Sequence, residues 1–372
     1  MSVKMNKSLS FDKMTFTITL VLVALGILMI YSSSAIRAQE RFGDSYFFLK
    51  RQLIWAFLGT LAMVLVMKLE YRKWQKLAFP LFLLSLLFLT LVLIPHLGVK
   101  VNGARRWLSL FGLSFQPTEL AKIALILFLS HLLAKKGPQI QEFSSGLLPL
   151  LVATGMIVAP ILLQPNFGNV GVLLMVAAMI YFVGGARISH LLLLSAGSIP
   201  LLYLLMMHFS HARSRLLTLF DPSRVPEQAR YQIKQSFYAL GPGGFLGRGL
   251  GDGMQKLFYL PEPHTDFIFA IIGEEVGFLG TSMIVLLFGI ILWRGMRIAL
   301  RAPDPFGRFL AIGITSLIVS QALINVGMVV GLLPTTGLPL PFISFGGSSL
   351  VFSLIQIGVL LNISHYAQPR SP

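Results

Sequence analysis

Residues 266–293 read DFIFAIIGEEVGFLGTSMIVLLFGIILW, an apolar run that opens on one acid and carries two more inside it. A helix needs about 20 apolar residues to span a bilayer, and this run exceeds that. A carboxylate facing lipid near mid-membrane costs roughly 2.5–3.5 kcal/mol on insertion scales. Asp266, Glu274 and Glu275 therefore face protein or a polar cavity, which requires further helices around this one.

The rest of the chain supplies them. It has 372 residues, of which 55% are hydrophobic and 12% charged, whereas soluble domains carry about a quarter charged residues. Further apolar runs fall at 14–36, 52–69, 77–95, 118–134, 146–164, 167–185, 188–208, 308–332 and 343–364. The expected fold is an all-α polytopic membrane protein with ten transmembrane helices. Sheet structure open to lipid is excluded, because lipid cannot satisfy its backbone. The apolar stretch Met14–Tyr31 is longer than a signal-peptide core and is read as the first span. With no repeat or low-complexity linker, residues 1–372 are expected to form one membrane domain.

An even number of spans puts both termini on one side. Basic residues in the short loops favour the cytoplasm for that side, once the long 209–265 segment is set apart. That segment is then a large extracytoplasmic loop between the seventh and eighth helices. The net charge of +16 is read as loop charge at lipid headgroups, with an anionic substrate as the second reading; no nucleic-acid partner is expected. The absence of cysteine excludes disulfides, thiolate metal sites and Cys nucleophiles. No His spacing suits zinc.

Three polar stretches stand out. Residues 96–117 and 209–265 lie between spans, and the second contains an amphipathic piece, Tyr231–Leu240, followed by glycines from Gly241 to Gly253. That glycine run, with Arg248 and Lys256, could wrap a phosphate, but close turns at a membrane edge are the commoner use. The third, Leu333–Pro341 (LPTTGLPLP), leads into FISFGGSS, for which close helix packing is the simpler reading.

Among single residues, Glu119 and Lys122 lie three apart at the start of the fourth span and form a favourable pair on one face. Asp266 follows Pro263, His264 and Thr265, with Thr265 a candidate helix cap. On a continuous helix Glu274 would sit about 80° around from Asp266 and some 12 Å deeper, so the two could border one cavity. Glu275 would point away. Asp266 is the candidate general base or metal ligand.

Taken together, QSFYALGPGGFLGRGLG, QKLFYLPEPHTDFIFAIIGEEVGFLG, NGARRW, QPTELAK and GLLPTTGLPLPFISFGGSS resemble the signatures of the SEDS (shape, elongation, division, sporulation) family, the FtsW/RodA/SpoVE group. The resemblance covers nearly the whole chain, and the run before HTDFIF is closer to the division and sporulation members than to RodA. It departs in one place: where the family often has QPDxGT, this chain reads QPNFGN, keeping Gln164, Pro165 and Gly168 but placing Asn166 and Asn169.

The resemblance implies a peptidoglycan glycosyltransferase of the bacterial cytoplasmic membrane, active on its outer side. The implied substrate is lipid II, an undecaprenyl-diphosphate-linked disaccharide-pentapeptide. The implied partners are a class B penicillin-binding transpeptidase and other division proteins. Asp266 would be the essential carboxylate, with Glu119, Lys122, Arg106 and Glu274 shaping its cavity. Lys234, Arg248, Lys256, Gln235, Ser236 and His264 are the candidates for the diphosphate. A divalent cation, magnesium or manganese, held by Asp266 stays open beside the base role, and no organic cofactor is expected. The resemblance is greatest to the FtsW members, which implies septal wall synthesis in cell division, with RodA-like elongation and SpoVE-like spore-cortex roles as alternatives. Further alternatives are a lipid II flippase, since intramembrane charge suits transport too, and a scaffold for division proteins.

Overall fold

The computed structural model describes residues 11–367, except 102–103, 111–112, 222–224, 226 and 258. The chain folds as α1 (Lys13–Phe42), α2 (Phe47–Lys68), α3 (Tyr71–Leu91), a sheet β1 (Gly98–Val101), β2 (Ala104–Leu110) and β3 (Leu113–Phe115), then α4 (Pro117–Lys136), α5 (Leu148–Leu163), α6 (Phe167–Val183) and α7 (Ile188–His208). The segment before the next apolar helix holds α8 (Ser210–Phe220) and α9 (Glu227–Gly243), and the chain closes with α10 (Ile268–Arg301), α11 (Pro305–Val329) and α12 (Gly347–Tyr366). Among the described residues nine helices are long and apolar enough to cross a membrane, and α6 is a shorter apolar helix. At 1.5 Å per residue its 17 residues reach about 25 Å.

Local chemistry sets the helix ends. Asp12 caps α1 by accepting from Thr15 N at 2.8 Å, and Gly43 stops it with φ 69°. Asp304 caps α11 by accepting from Gly307 N at 2.8 Å, with Pro305 in the first turn, where its missing N–H costs nothing. The polar stretch 96–117, which carries no strong strand pattern, forms the antiparallel meander β1-β2-β3. Its sheet lies between spans, so the exclusion of lipid-facing sheet is not breached.

The helices α4, α11 and α12 form the centre, with most of their residues buried, whereas α7 buries none. Helix α2 packs along α12, α10 along α11, and α3 along α4. Polar side chains tie these helices where lipid offers no hydrogen bonds. Asn362 donates to Met67 O and accepts from Tyr71 N, both at 2.7 Å, joining α12 to the α2–α3 turn.

Gly26 lets α1 touch the backbone of the turn after α11: a Cβ there would lie 2.7 Å from both Phe342 O and Ile343 Cα. Backbone cannot move aside as a side chain can. Gly26→Val is therefore expected to destabilise the fold by about 1–3 kcal/mol. A thermal unfolding midpoint equal to wild type in detergent would refute this.

Candidate functional site

The expected first turn at Asp266 is not helical. Helix α10 starts at Ile268, its cap Phe267 makes no side-chain bond, and Thr265 Oγ1 donates back to Glu262 O at 2.9 Å instead of capping. Asp266 thus sits on a short turn piece, half-buried, just outside the span.

The proline-rich turn 333–341 and the residues after it hold that piece in place. Ser344 Oγ donates to Thr265 O at 2.7 Å and accepts from Leu340 N, while Phe345 N donates to His264 O at 2.9 Å. Buried Asn325 on α11 donates to Asp266 O at 2.8 Å and to Leu338 O at 2.7 Å. The stretch read mainly as packing is also the clamp on the Asp266 backbone.

Gly337, at φ 74°, opens a gap beside the carboxylate. A Cβ there would lie 3.5 Å from Asp266 Oδ2 and 3.9 Å from Arg215 Nη1, so both side chains converge on one point. Arg215 comes from α8, and among the described residues no hydrogen bond or ion pair engages its head. Arg106 approaches from β2. Its Nε donates to Gln164 O at 3.1 Å and its Nη2 to Pro165 O at 2.5 Å, leaving three of its five N–H donors. The QPNFGN corner packs on the same turn, since a Cβ on Gly168 would meet Thr336. Asn169 Nδ2 donates to Asn166 Oδ1 at 3.1 Å, pairing the two asparagines of the departing motif, while the buried Asn169 Oδ1 meets no hydrogen-bond donor among the described residues.

Burial draws the Asp266 carboxyl up to about 6, a rise that Arg215 opposes first, Glu262 reinforces and Arg106 opposes. Burial likewise lowers Arg106 to about 10, with Arg215 lowering it further and Asp266 raising it. Arg215 is also lowered by burial and raised by Asp266. One carboxylate thus stands in a mutual field with two guanidiniums.

The other candidates have different company. Glu119 and Lys122 pair with each other at 2.7 Å, both buried. Glu274 does not face Asp266: it accepts from Met254 N at 2.6 Å and from Gln255 N at 3.1 Å. Glu275 accepts from Ser32 Oγ at 2.7 Å, Lys256 Nζ at 2.6 Å and Gly251 N at 3.1 Å. The helix-wheel reading fails because Asp266 lies outside the helix, which starts at Ile268; farther along, beyond both glutamates, Gly277 at φ 72° and ψ −164° breaks α10.

The glycine run fills that break. Phe278 N donates to Gly244 O at 2.9 Å and Leu279 N to Phe245 O at 3.1 Å, while Arg248 N and Gly249 N donate to Glu274 O and Glu275 O at 3.0 Å. A Cβ on Gly243 would strike Gly273 O. The glycines serve backbone contact with the broken helix, and buried Lys256 is committed to Glu275. Arg248 approaches Glu274 at 3.8 Å.

His264 is buried, its ring 4.3 Å from that of Phe48 and 5.6 Å from that of Phe345. Burial lowers it to about 4, helped by Arg37 and Arg41, so it is neutral. Ser236 joins α9 to α11 by donating to Ile233 O and Val329 O. Gln235 is buried, and Lys234 is exposed over the Tyr238 ring at 5.7 Å. Arg215 had no signal in the sequence, being one basic residue among many in a long polar segment.

The donor set does not fit a resident metal ion. Asp266 is a single carboxylate beside two guanidiniums, and among the described residues no three His, Asp or Glu gather to hold one.

Comparison with known proteins places this arrangement in context. A family model described as Cell cycle protein (FtsW/RodA/SpoVE) matches residues 12–369. The chain is 44% identical over 354 residues to the probable peptidoglycan glycosyltransferase FtsW of Geobacter metallireducens, covering 95% of this chain and 94% of that protein. It is 44% identical over 362 residues to stage V sporulation protein E of Bacillus subtilis, covering 97% and 99%. Its fold matches a chain from a peptidoglycan synthase complex that coordinates polymerization and crosslinking, with TM-score 0.79, 33% identity, and 96% and 98% of the two chains covered. It matches the Thermus thermophilus rod shape determining protein RodA with TM-score 0.71, 30% identity and coverage of 96% and 97%. With a family model over almost its full length and relatives of this identity, the chain belongs to the FtsW/RodA/SpoVE family of multi-pass membrane proteins.

Proposed function

We propose that this chain is a peptidoglycan glycosyltransferase that polymerises lipid II, with Asp266 as general base and Arg215 and Arg106 meeting the diphosphate. The observation that carries this reading is the convergence of Asp266 and Arg215 on the gap at Gly337, within the field of Arg106. Glycan extension needs a base for the acceptor 4-hydroxyl and positive charge for the departing diphosphate. The Asp266 carboxylate takes the hydroxyl proton. The hydroxyl oxygen then bonds to the donor's anomeric carbon as the bond from that carbon to the diphosphate oxygen breaks. Two guanidiniums offer a diphosphate forked hydrogen bonds as well as charge. A divalent cation carried in on the diphosphate would find one protein ligand, Asp266, the others being phosphate and water oxygens.

The catalytic end is the one opposite the start of α1, and we assign it to the outer face of the cytoplasmic membrane, in line with the basic loops. Similarity to the synthase-complex chain supports a class B penicillin-binding transpeptidase as partner. The FtsW- and SpoVE-named relatives support division or sporulation, and we favour division.

The test is purified protein in liposomes with lipid II, scoring polymer separately from translocation. Polymer is the expected product, and translocation without polymer would establish the flippase reading. A base must be ionised, so kcat/KM should climb about tenfold per pH unit below pH 6 and level off above it. Arg215 holds the Asp266 value down, so Arg215→Gln should move this acid limb to higher pH as well as raise KM. An unmoved limb would remove Arg215 from the site.

A further inference from the structure

The end of the molecule opposite Asp266 carries a second concentration of charge that the polymerase reaction does not use. Where α1 begins and α10 and α12 end, a small open pocket of about 60 Å³ is lined by Asp12, Arg294, Arg297, Arg301 and Ser364, with Ile298 and Ala367 beside them. That volume is far below the roughly 300–1,000 Å³ of pockets for drug-sized ligands, so only a small group can seat in it. The three arginines recur at spacings of three and four along α10, so they share one helix face.

Among the described residues one of the three is neutralised. Arg294 forms an ion pair with Asp12, its Nε donating to Oδ2 at 2.8 Å. Asp12 is itself occupied, capping Thr15 N and lying against Ser364, whose Oγ accepts from Asp12 N at 3.0 Å. Among the described residues Arg297 and Arg301 meet no carboxylate. The Arg297 guanidinium stands 5.0 Å from the exposed Trp293 ring, and that of Arg294 stands 5.5 Å from it. An exposed tryptophan at the end of a spanning helix marks the membrane–water boundary, so the arginines lie at headgroup depth. Placing basic residues at helix ends satisfies the topology rule anywhere on the surface. It does not require three on one face, around a concavity, with two charges left open.

We propose that this pocket binds a phosphate group, with Arg297 and Arg301 as its donors and the Asp12–Arg294 pair as its wall. Basic pockets between spanning helices hold the phosphates of anionic lipids by this chemistry, and guanidinium forks match phosphate oxygens. The same site would accept a free phosphate anion.

The full chain and its Arg297→Gln/Arg301→Gln variant, purified from membranes, would be compared by native mass spectrometry after exchange into vesicles of phosphatidylglycerol and phosphatidylcholine. The wild type should retain phosphatidylglycerol about tenfold or more over the variant, because each arginine near a headgroup contributes to anion retention. Arg308→Gln, which removes a charge at the same end but outside the pocket, should retain it as wild type does. Added inorganic phosphate that displaces the lipid identifies the free anion as a ligand; failure to displace it identifies the lipid as the source. Both results support the site. Equal phosphatidylglycerol retention by wild type and double variant would overturn it. So would equal loss in Arg308→Gln, which would reduce the effect to general charge. Arg301→Gln alone, at an exposed position, repeats the measurement should the double variant unfold.

Discussion

Asp266→Asn is expected to insert, fold and melt as wild type yet lose polymerisation of lipid II by about 10²–10⁴-fold, the usual contribution of a positioned base. The side chain is nearly unchanged in shape, and the groups that hold this segment bond to its backbone: Asn325 to Asp266 O, Ser344 to Thr265 O and Phe345 N to His264 O. The amide therefore occupies the same place without being able to take a proton. Removing the carboxylate also leaves Arg215 and Arg106 without their opposing charge, which should preserve or tighten diphosphate binding. The expected pattern is a collapse in kcat with little rise in KM. Polymer made at the wild-type rate would sink the assignment of Asp266, and a large rise in KM at unchanged kcat would make it a binding residue only. This outcome differs from that of the arginine pocket, which is tested by lipid retention and not by polymer.

Lys122→Met should be among the most destabilising single changes in the protein. Lys122 and Glu119 are buried at the start of α4, 2.7 Å apart. Breaking such a pair leaves one charge without its partner, at about 3–5 kcal/mol, whereas replacing both members by apolar groups is often neutral or better. Glu119→Leu/Lys122→Met should accordingly recover most of the melting temperature lost by Lys122→Met. If the double variant is stable and still polymerises, the pair is structural. If it is stable and inactive, the pair shapes the cavity as the family resemblance implies. A Lys122→Met protein as stable as wild type would show that the pair is not isolated from water.

Much of the architecture was legible before any tertiary contact. Each apolar run must satisfy its own backbone in lipid, so hydropathy and length place a helix without reference to its neighbours. The helices fall where those runs fall, and the polar segment after α7 holds α8 and the amphipathic α9. The i,i+3 pairing of Glu119 and Lys122 is equally local, and the structure makes it. Asp266 also stood out on sequence grounds, as the acid at the head of a spanning run.

The partners of the remaining polar groups were not legible, because they depend on which distant segments meet. Glu275 and Ser32 lie 243 residues apart. No spacing rule links them, or shows that Lys256 is spent on their cluster. Asp266 precedes the helix, so the helical geometry on which a shared face with Glu274 depends is absent, and the glycine run packs into the break at Gly277. Arg215 is ordinary in sequence and becomes a site residue only because α8 folds back over the turn at Gly337. Thus the sequence by itself determined the membrane helices and singled out the carboxylate proposed as the base. The tertiary structure alone decided which charges surround that carboxylate and which hold loops, since choosing a polar partner in a low-dielectric interior is a matter of long-range approach and not of local pattern.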